Sequence, residues 1–70
     1  MPALTWDHIE DIALNLYEAH PDVDPLLLQL ADVQKRVTEL PNFKDDPRGA
    51  TEGTLDAIQM AWYEEYKNAH

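Results

Sequence analysis

The sequence predicts a compact, mainly α-helical domain of three to four helices, with little or no β-strand. Three segments carry apolar residues at helical spacing, and two stretches rich in proline and aspartate separate them. No segment alternates convincingly between apolar and polar residues, as a half-buried strand does. Because the chain has 70 residues, we expect a single domain over residues 1–70.

The first predicted helix runs from Trp6 to Ala19. Thr5 is a suitable N-cap, because a threonine hydroxyl can accept a free N–H of the first turn. Pro21 ends the helix, since the residue before a proline is pushed away from the α region. The apolar stripe that we expect to face the core consists of Trp6, Ile9, Ala13, Leu16 and Tyr17.

The opposite side of this helix is acidic, and Leu14 lies within the acids rather than in the apolar stripe. The rigid turn that follows, residues 20–25, contains two prolines and two further acids. We name these residues together the N-terminal acidic surface: Asp7, Glu10, Asp11, Leu14, Glu18, Asp22 and Asp24.

The second predicted helix has two alternative starts. Asp24 can be its N-cap with Pro25 at the first helical position, which gives one continuous helix. Alternatively Asp32 is the N-cap, residues 26–30 are extended or turn-like, and the helix is shorter. The pattern alone favours the continuous helix, whose unbroken apolar stripe is Leu26, Leu30, Val33, Val37 and Leu40.

The third predicted helix starts near Thr51, another suitable N-cap, and ends near Lys67. The loop before it is rich in turn-forming residues, and Phe43 is expected to anchor that loop to the core. Met60 and Tyr63 lie off the main stripe and either widen the buried face or contact a partner. The main stripe consists of Leu55, Ile58, Trp62 and Tyr66.

The charge of the chain excludes some partners and favours others. The formal net charge is −9, and residues 1–25 carry six acids with no Lys or Arg. Such a chain repels nucleic acid and anionic lipid and attracts basic proteins and hard cations. On charge alone, a docking surface and a merely solubilising surface are about equally good interpretations. With no signal peptide and no long apolar run, we expect a cytoplasmic protein that does not enter a membrane.

The residues needed for catalysis are missing or scattered. The chain has no cysteine and no serine, and its three histidines, His8, His20 and His70, are far apart in sequence. No set of nucleophile, base and orienting group can be assembled from them. No glycine-rich loop followed by lysine is present to hold phosphate. We therefore expect that the protein is not an enzyme.

Three pairs of carboxylates are candidate metal ligands. Oxygen ligands of this kind suit iron, manganese, calcium or magnesium. No pair belongs to an EF-hand loop or to a four-ligand spacing, so from spacing alone a solvated run of charge is the simpler interpretation. Any site that they form should be weak and exposed. The candidates are Asp7, Asp11, Asp22, Asp24, Asp45 and Asp46.

Several motifs resemble those of a known family. The string HPDVDP at residues 20–25 is followed by F-x-DDP at residues 43–47 and LDAIQMAW at residues 55–62. At this spacing they resemble the IscX family, small acidic proteins of bacterial iron–sulphur cluster assembly, and the resemblance covers nearly the whole chain. Acids at family-like positions are Asp11, Asp22, Asp24, Asp32, Asp45, Asp46, Glu52, Asp56 and Glu65.

The resemblance implies a modified winged-helix-like arrangement and a monomeric, noncatalytic adaptor or regulator. It implies docking on a pyridoxal-phosphate cysteine desulfurase, which presents a basic surface, and weak binding of iron ions through surface carboxylates. The alternative is an iron donor that delivers metal. The chain departs from the family at residues 26–30, which read LLLQL where members often read x-T-V-R-F, and at Arg36 and Lys44. A DNA-binding regulator would need a basic patch, which the sequence does not offer.

Overall fold

The fold of the protein, described for residues 3–69 by a computed structural model, is mainly helical as predicted. Three α-helices and one short 3₁₀ turn lie within these residues: α1 (Ile9–Ala19), the 3₁₀ turn (Pro25–Leu27), α2 (Leu30–Thr38) and α3 (Glu52–Ala69). None of the described residues forms a strand. The nearest approach to one is an isolated parallel bridge between Leu4 and Phe43. The winged-helix-like arrangement stays a prediction.

The long helix α3 organises the molecule. It packs against α1, α2 and the 3₁₀ turn, and its contact with α1 is the most extensive. Each α-helix contributes two side chains with no exposed surface, spaced four residues apart so that they lie on one helical face. These six residues form the centre of the core: Ile12, Leu16, Val33, Val37, Ile58 and Trp62.

The first helix begins three residues later than predicted, and Thr5 is not its N-cap. The residue at the N-cap position is His8, and the His8 N–H bonds back to the Thr5 carbonyl at 3.0 Å, so residues 5–8 form a turn. The cause is Trp6, which is held by the loop before α3. Its backbone N–H donates to Asp45 Oδ2 at 3.1 Å, and its indole Nε1 donates to the Asp46 carbonyl oxygen at 2.6 Å.

Phe43 anchors the same loop, as predicted. It is buried, and its ring lies edge-on to that of Trp6 with 4.7 Å between the ring centroids. Backbone hydrogen bonds on either side of Phe43 complete the attachment: Leu4 N–H donates to the Asn42 carbonyl and Lys44 N–H donates to the Leu4 carbonyl. The segment before α1 and the loop before α3 are therefore fastened together.

The prediction of a continuous second helix is wrong, and the alternative prediction of a shorter helix is closer to the structure. Asp24 and Pro25 do start a helical turn, and Asp24 Oδ1 accepts the Leu26 N–H at 3.0 Å, but the turn ends at Leu27. The break has a tertiary cause. The side-chain amide of Gln59 on α3 donates to the carbonyl oxygens of Pro25 at 2.8 Å and Leu28 at 2.9 Å.

The second helix then starts through a capping box. Gln29 is the N-cap, and its backbone N–H donates to Asp32 Oδ2 at 3.3 Å, so Asp32 is the third helical residue rather than the cap. Val33, Val37 and Leu40 are buried as predicted. Leu26 is 47% exposed and does not belong to the apolar stripe.

The third helix matches its prediction closely. The Thr51 hydroxyl accepts the Thr54 N–H at 3.2 Å and so acts as the predicted cap. Leu55, Ile58 and Trp62 are buried. Tyr66 is half-buried, and Met60 is 46% exposed and leaves the buried face no wider.

Candidate functional site

The N-terminal acidic surface lies on α1 and on the turns at either end of it. Its members are exposed to solvent except Asp24, which is half-buried. Leu14 lies among the acids of α1 and is 42% exposed, in agreement with the prediction that it falls outside the core. The burial of Ile12 and Leu16 on the other side of α1 fixes this orientation, because they face α2 and α3 in the core.

Asp7 belongs to this surface without belonging to α1. The sequence placed Asp7 and Asp11 one helical turn apart, and that spacing does not apply because the helix begins at Ile9. The two residues nevertheless line one shallow depression of the surface, together with His8, Ile9 and Glu10. The depression is open to solvent, so it offers carboxylates to a partner or an ion without enclosing either.

Three of the six candidate metal ligands accept hydrogen bonds from backbone N–H groups. Asp24 Oδ1 caps the 3₁₀ turn. Asp45 accepts the Trp6 N–H with Oδ2 and the Asp46 N–H with Oδ1, the latter at 2.7 Å. Asp46 Oδ1 accepts the Arg48 N–H at 2.9 Å. These carboxylates satisfy backbone donors that turns and helix starts leave unpaired.

The other three candidates, Asp7, Asp11 and Asp22, are exposed, and their carboxylates form no hydrogen bond or ion pair within residues 3–69, although the Asp11 backbone carbonyl accepts the Asn15 side-chain amide at 2.7 Å. Within that part of the chain no group of three or more His, Asp or Glu side chains is placed to hold one metal ion. As iron ligands, the six carboxylates stay a prediction. Any ion at this surface would have to complete its coordination with water or with groups from a partner.

A groove between α1 and α3 adds acids that the sequence did not assign to the surface. Two small residues, Ala13 and Ala61, line it where the helices meet, and Glu10, Glu64 and Glu65 line it with carboxylates. Glu64 also forms an exposed ion pair with Lys67, with 3.7 Å between Oε2 and Nζ. The groove therefore extends the acidic surface from α1 to α3, and we name it the acidic groove.

All five basic side chains lie outside α1, and one of them, Lys67, pairs with Glu64 at the acidic groove. Two of the five basic side chains, Lys35 and Arg36, are on α2, where they share a depression with Asp32 and Glu39. That depression is of mixed sign, whereas no Lys or Arg occurs between residues 3 and 34. The exposed face of α1 therefore carries acids and no Lys or Arg. None of the helices described for residues 3–69 is both long and apolar enough to cross a membrane.

Comparison with known proteins gives two findings. A family model described as "Iron-sulphur cluster assembly" matches residues 4–67, a range that includes α1, the 3₁₀ turn, α2 and nearly all of α3. The chain is also similar to an uncharacterized protein from Pseudomonas aeruginosa. The two are 44% identical over 63 residues, which cover 90% of this chain and 96% of that protein.

Proposed function

The chain belongs to the IscX family of iron–sulphur cluster assembly proteins, as its motifs predict, and from this premise we propose a noncatalytic adaptor or regulator of cluster assembly. In this proposal the N-terminal acidic surface docks on a basic surface of a cysteine desulfurase in the cytoplasm. Exposed carboxylates bind iron weakly and adjust that association.

The observation that carries the proposal is the uniform charge of the face formed by α1. Its carboxylates are exposed, and no Lys or Arg lies between residues 3 and 34. A surface of one sign accelerates encounter with a surface of the opposite sign and orients the two partners. Leu14, among these acids, supplies an apolar contact of the kind found inside a charged rim.

The acidic groove suggests how a basic partner would be held. A lysine or arginine side chain entering it would lay its aliphatic part on Ala13 and Ala61. Its charged end would then lie among Glu10, Glu64 and Glu65. Long basic side chains bind in this way because the stem is apolar while the head stays charged and hydrogen-bonded.

A noncatalytic role is supported by the chemistry of the chain. It contains no cysteine or serine, and His8 and His20 lie at opposite ends of α1. His70 lies outside the described residues. An adaptor needs only a surface that suits its partner, and the exposed acids of α1 suit a basic one.

The proposal is tested by titrating the protein against a bacterial cysteine desulfurase. The titration is run with and without ferrous iron and at two salt concentrations. We expect binding that weakens as salt rises and that shifts when iron is added. An absence of binding under all conditions would overturn the docking role. The iron donor would instead be favoured if the protein alone bound ferrous iron stoichiometrically with a Kd below about 1 μM. That Kd corresponds to a binding free energy of about −8 kcal/mol.

A further inference from the structure

The most exposed large apolar side chain among the described residues belongs to Leu27, which is 82% exposed. Its neighbour Leu26 is 47% exposed, and both lie in the 3₁₀ turn between α1 and α2. Single leucines on a protein surface are common. Two adjacent leucines on a braced turn are less easily explained, because nothing in the fold is gained by presenting them to water.

The turn that carries this pair is held from several directions. Pro25, its first residue, is buried, and Asp24 caps the turn through the Leu26 N–H. Gln59 on α3 bonds to the carbonyl oxygens of Pro25 and Leu28, on either side of the leucines. These bonds hold the backbone of the pair in place. A pair presented in this way loses little conformational entropy on binding.

The charge beside the two leucines indicates which kind of partner they could bind. Asp22 and Asp24 lie four and two residues before Leu26, and the first Lys or Arg after the pair is Lys35. A second copy of this chain would bring the same acids face to face, and like charges oppose such a contact. A complementary partner has an apolar pocket with lysine or arginine side chains at its edge.

We propose that Leu26 and Leu27 form an apolar anchor that enters such a pocket on the protein partner that the N-terminal acidic surface attracts. The inference rests on the proposed function, because the desulfurase is taken as that partner. It adds a contact of a different physical kind. The acids bring the partners together through charge, whereas the anchor holds them through buried apolar surface and is not screened by salt.

The test compares two variants with the wild-type protein in titrations against the desulfurase at two salt concentrations. The double variant Leu26→Ala, Leu27→Ala removes the anchor, and we expect affinity to fall at least about tenfold, by a similar factor at both salt concentrations. The matched control is Met60→Ala, which truncates another exposed apolar side chain on α3. We expect it to bind like wild type. Urea unfolding should show both variants to be as stable as wild type, since the truncated groups are exposed.

The outcomes separate the anchor from the docking role. If wild type binds and the double variant binds equally well, the anchor is refuted while the docking role stands. If wild type does not bind the desulfurase, both are refuted. Sedimentation of wild type alone provides a further check, because a dimer that the double variant cannot form would show that a second copy covers the pair.

Discussion

The indole Nε1 of Trp6 donates a hydrogen bond to the carbonyl oxygen of Asp46, 2.6 Å away. The two residues are 40 positions apart in sequence, so this bond ties the segment before α1 to the loop before α3. The Trp6 ring also contacts Phe43, and Gly49 lies against the ring so closely that a Cβ there would be 3.2 Å from Trp6 Cδ1. Trp6 is thus the residue at which the segment before α1 and the loop before α3 meet.

The first prediction concerns this hydrogen bond. Trp6→Phe keeps an aromatic ring against Phe43 and removes the indole donor, so we expect the free energy of unfolding to fall by about 1–2 kcal/mol. The Asp46 carbonyl keeps the Gly49 N–H as a donor at 2.9 Å, which limits the loss. Urea unfolding measures the change. The control is Asp46→Asn, which alters the side chain, leaves the bonded carbonyl in place and should change stability little. Equal stability of Trp6→Phe and wild type would contradict the prediction.

The second prediction concerns Gln59. Gln59→Glu has nearly the same shape, yet it replaces two N–H donors with a carboxylate that faces the carbonyl oxygens of Pro25 and Leu28. We expect a loss of about 2 kcal/mol or more at neutral pH, because two partly buried acceptors lose their donor and a charge is desolvated.

The measurement for Gln59→Glu is again urea unfolding, with Met60→Glu as the control. That variant places the same charge on the next residue of α3, where the side chain is exposed, and should leave stability close to wild type. If the two variants are equally stable, the amide of Gln59 does not brace the 3₁₀ turn.

The side chains of Trp6 and Gln59 also explain where prediction from sequence succeeds and where it fails. Periodicity gave the three helices, and local chemistry gave the Thr51 cap. Local sequence pattern could not predict the start of α1 or the break before α2, because each depends on hydrogen bonds between residues distant in sequence. Trp6 donates to the loop before α3, and Gln59 donates to the carbonyl oxygens of the 3₁₀ turn. Ile12 was missed as a core residue although it lies three residues from Ile9, because Ala13 beside it fitted the stripe equally well.

The candidate site shows the same division. Helical spacing correctly placed Leu14 among exposed acids. The acidic groove was not predicted, because Glu10 and Glu64 line it together only through the packing of α1 on α3. The sequence pattern of neither helix indicates which helix it packs against. The bonding of Asp24, Asp45 and Asp46 to backbone N–H groups likewise depends on turn geometry, which the composition of the loops indicates only in general terms.

The third prediction separates iron binding from stability. The triple variant Asp7→Asn, Asp11→Asn, Asp22→Asn neutralises the three candidate ligands whose carboxylates bond to no other described group. We expect it to bind ferrous iron more weakly and to unfold like wild type. Asp24→Ala should instead lower the free energy of unfolding by about 1 kcal/mol, because it removes a helical cap. Iron titration and urea unfolding are measured on both proteins. A triple variant that retains wild-type iron affinity would place the ions elsewhere.

The fourth prediction concerns docking through the N-terminal acidic surface. Reversing Asp7, Asp11 and Glu18 to lysine should weaken binding to the desulfurase by about tenfold or more at low salt and flatten its salt dependence. The control reverses three exposed acids outside this surface, Glu39, Glu52 and Asp56, and so changes the net charge equally. If both variants lose the same affinity, net charge rather than this face determines docking. An unchanged affinity of the first variant would reject the face outright.

The fifth prediction tests whether the acidic groove takes part in that contact. Glu10→Gln with Glu65→Gln neutralises two of its three carboxylates and changes neither side-chain length nor the alanines between the helices. We expect affinity for the desulfurase to fall several-fold, up to about tenfold at low salt, because a basic side chain in the groove loses two charged hydrogen-bond acceptors. Glu39→Gln with Glu52→Gln removes the same charge from exposed positions outside the groove and should bind nearly like wild type. If both double variants bind the desulfurase with the same affinity, the groove serves only to pack α1 on α3. The contact with the desulfurase would then be confined to α1 and its flanking turns.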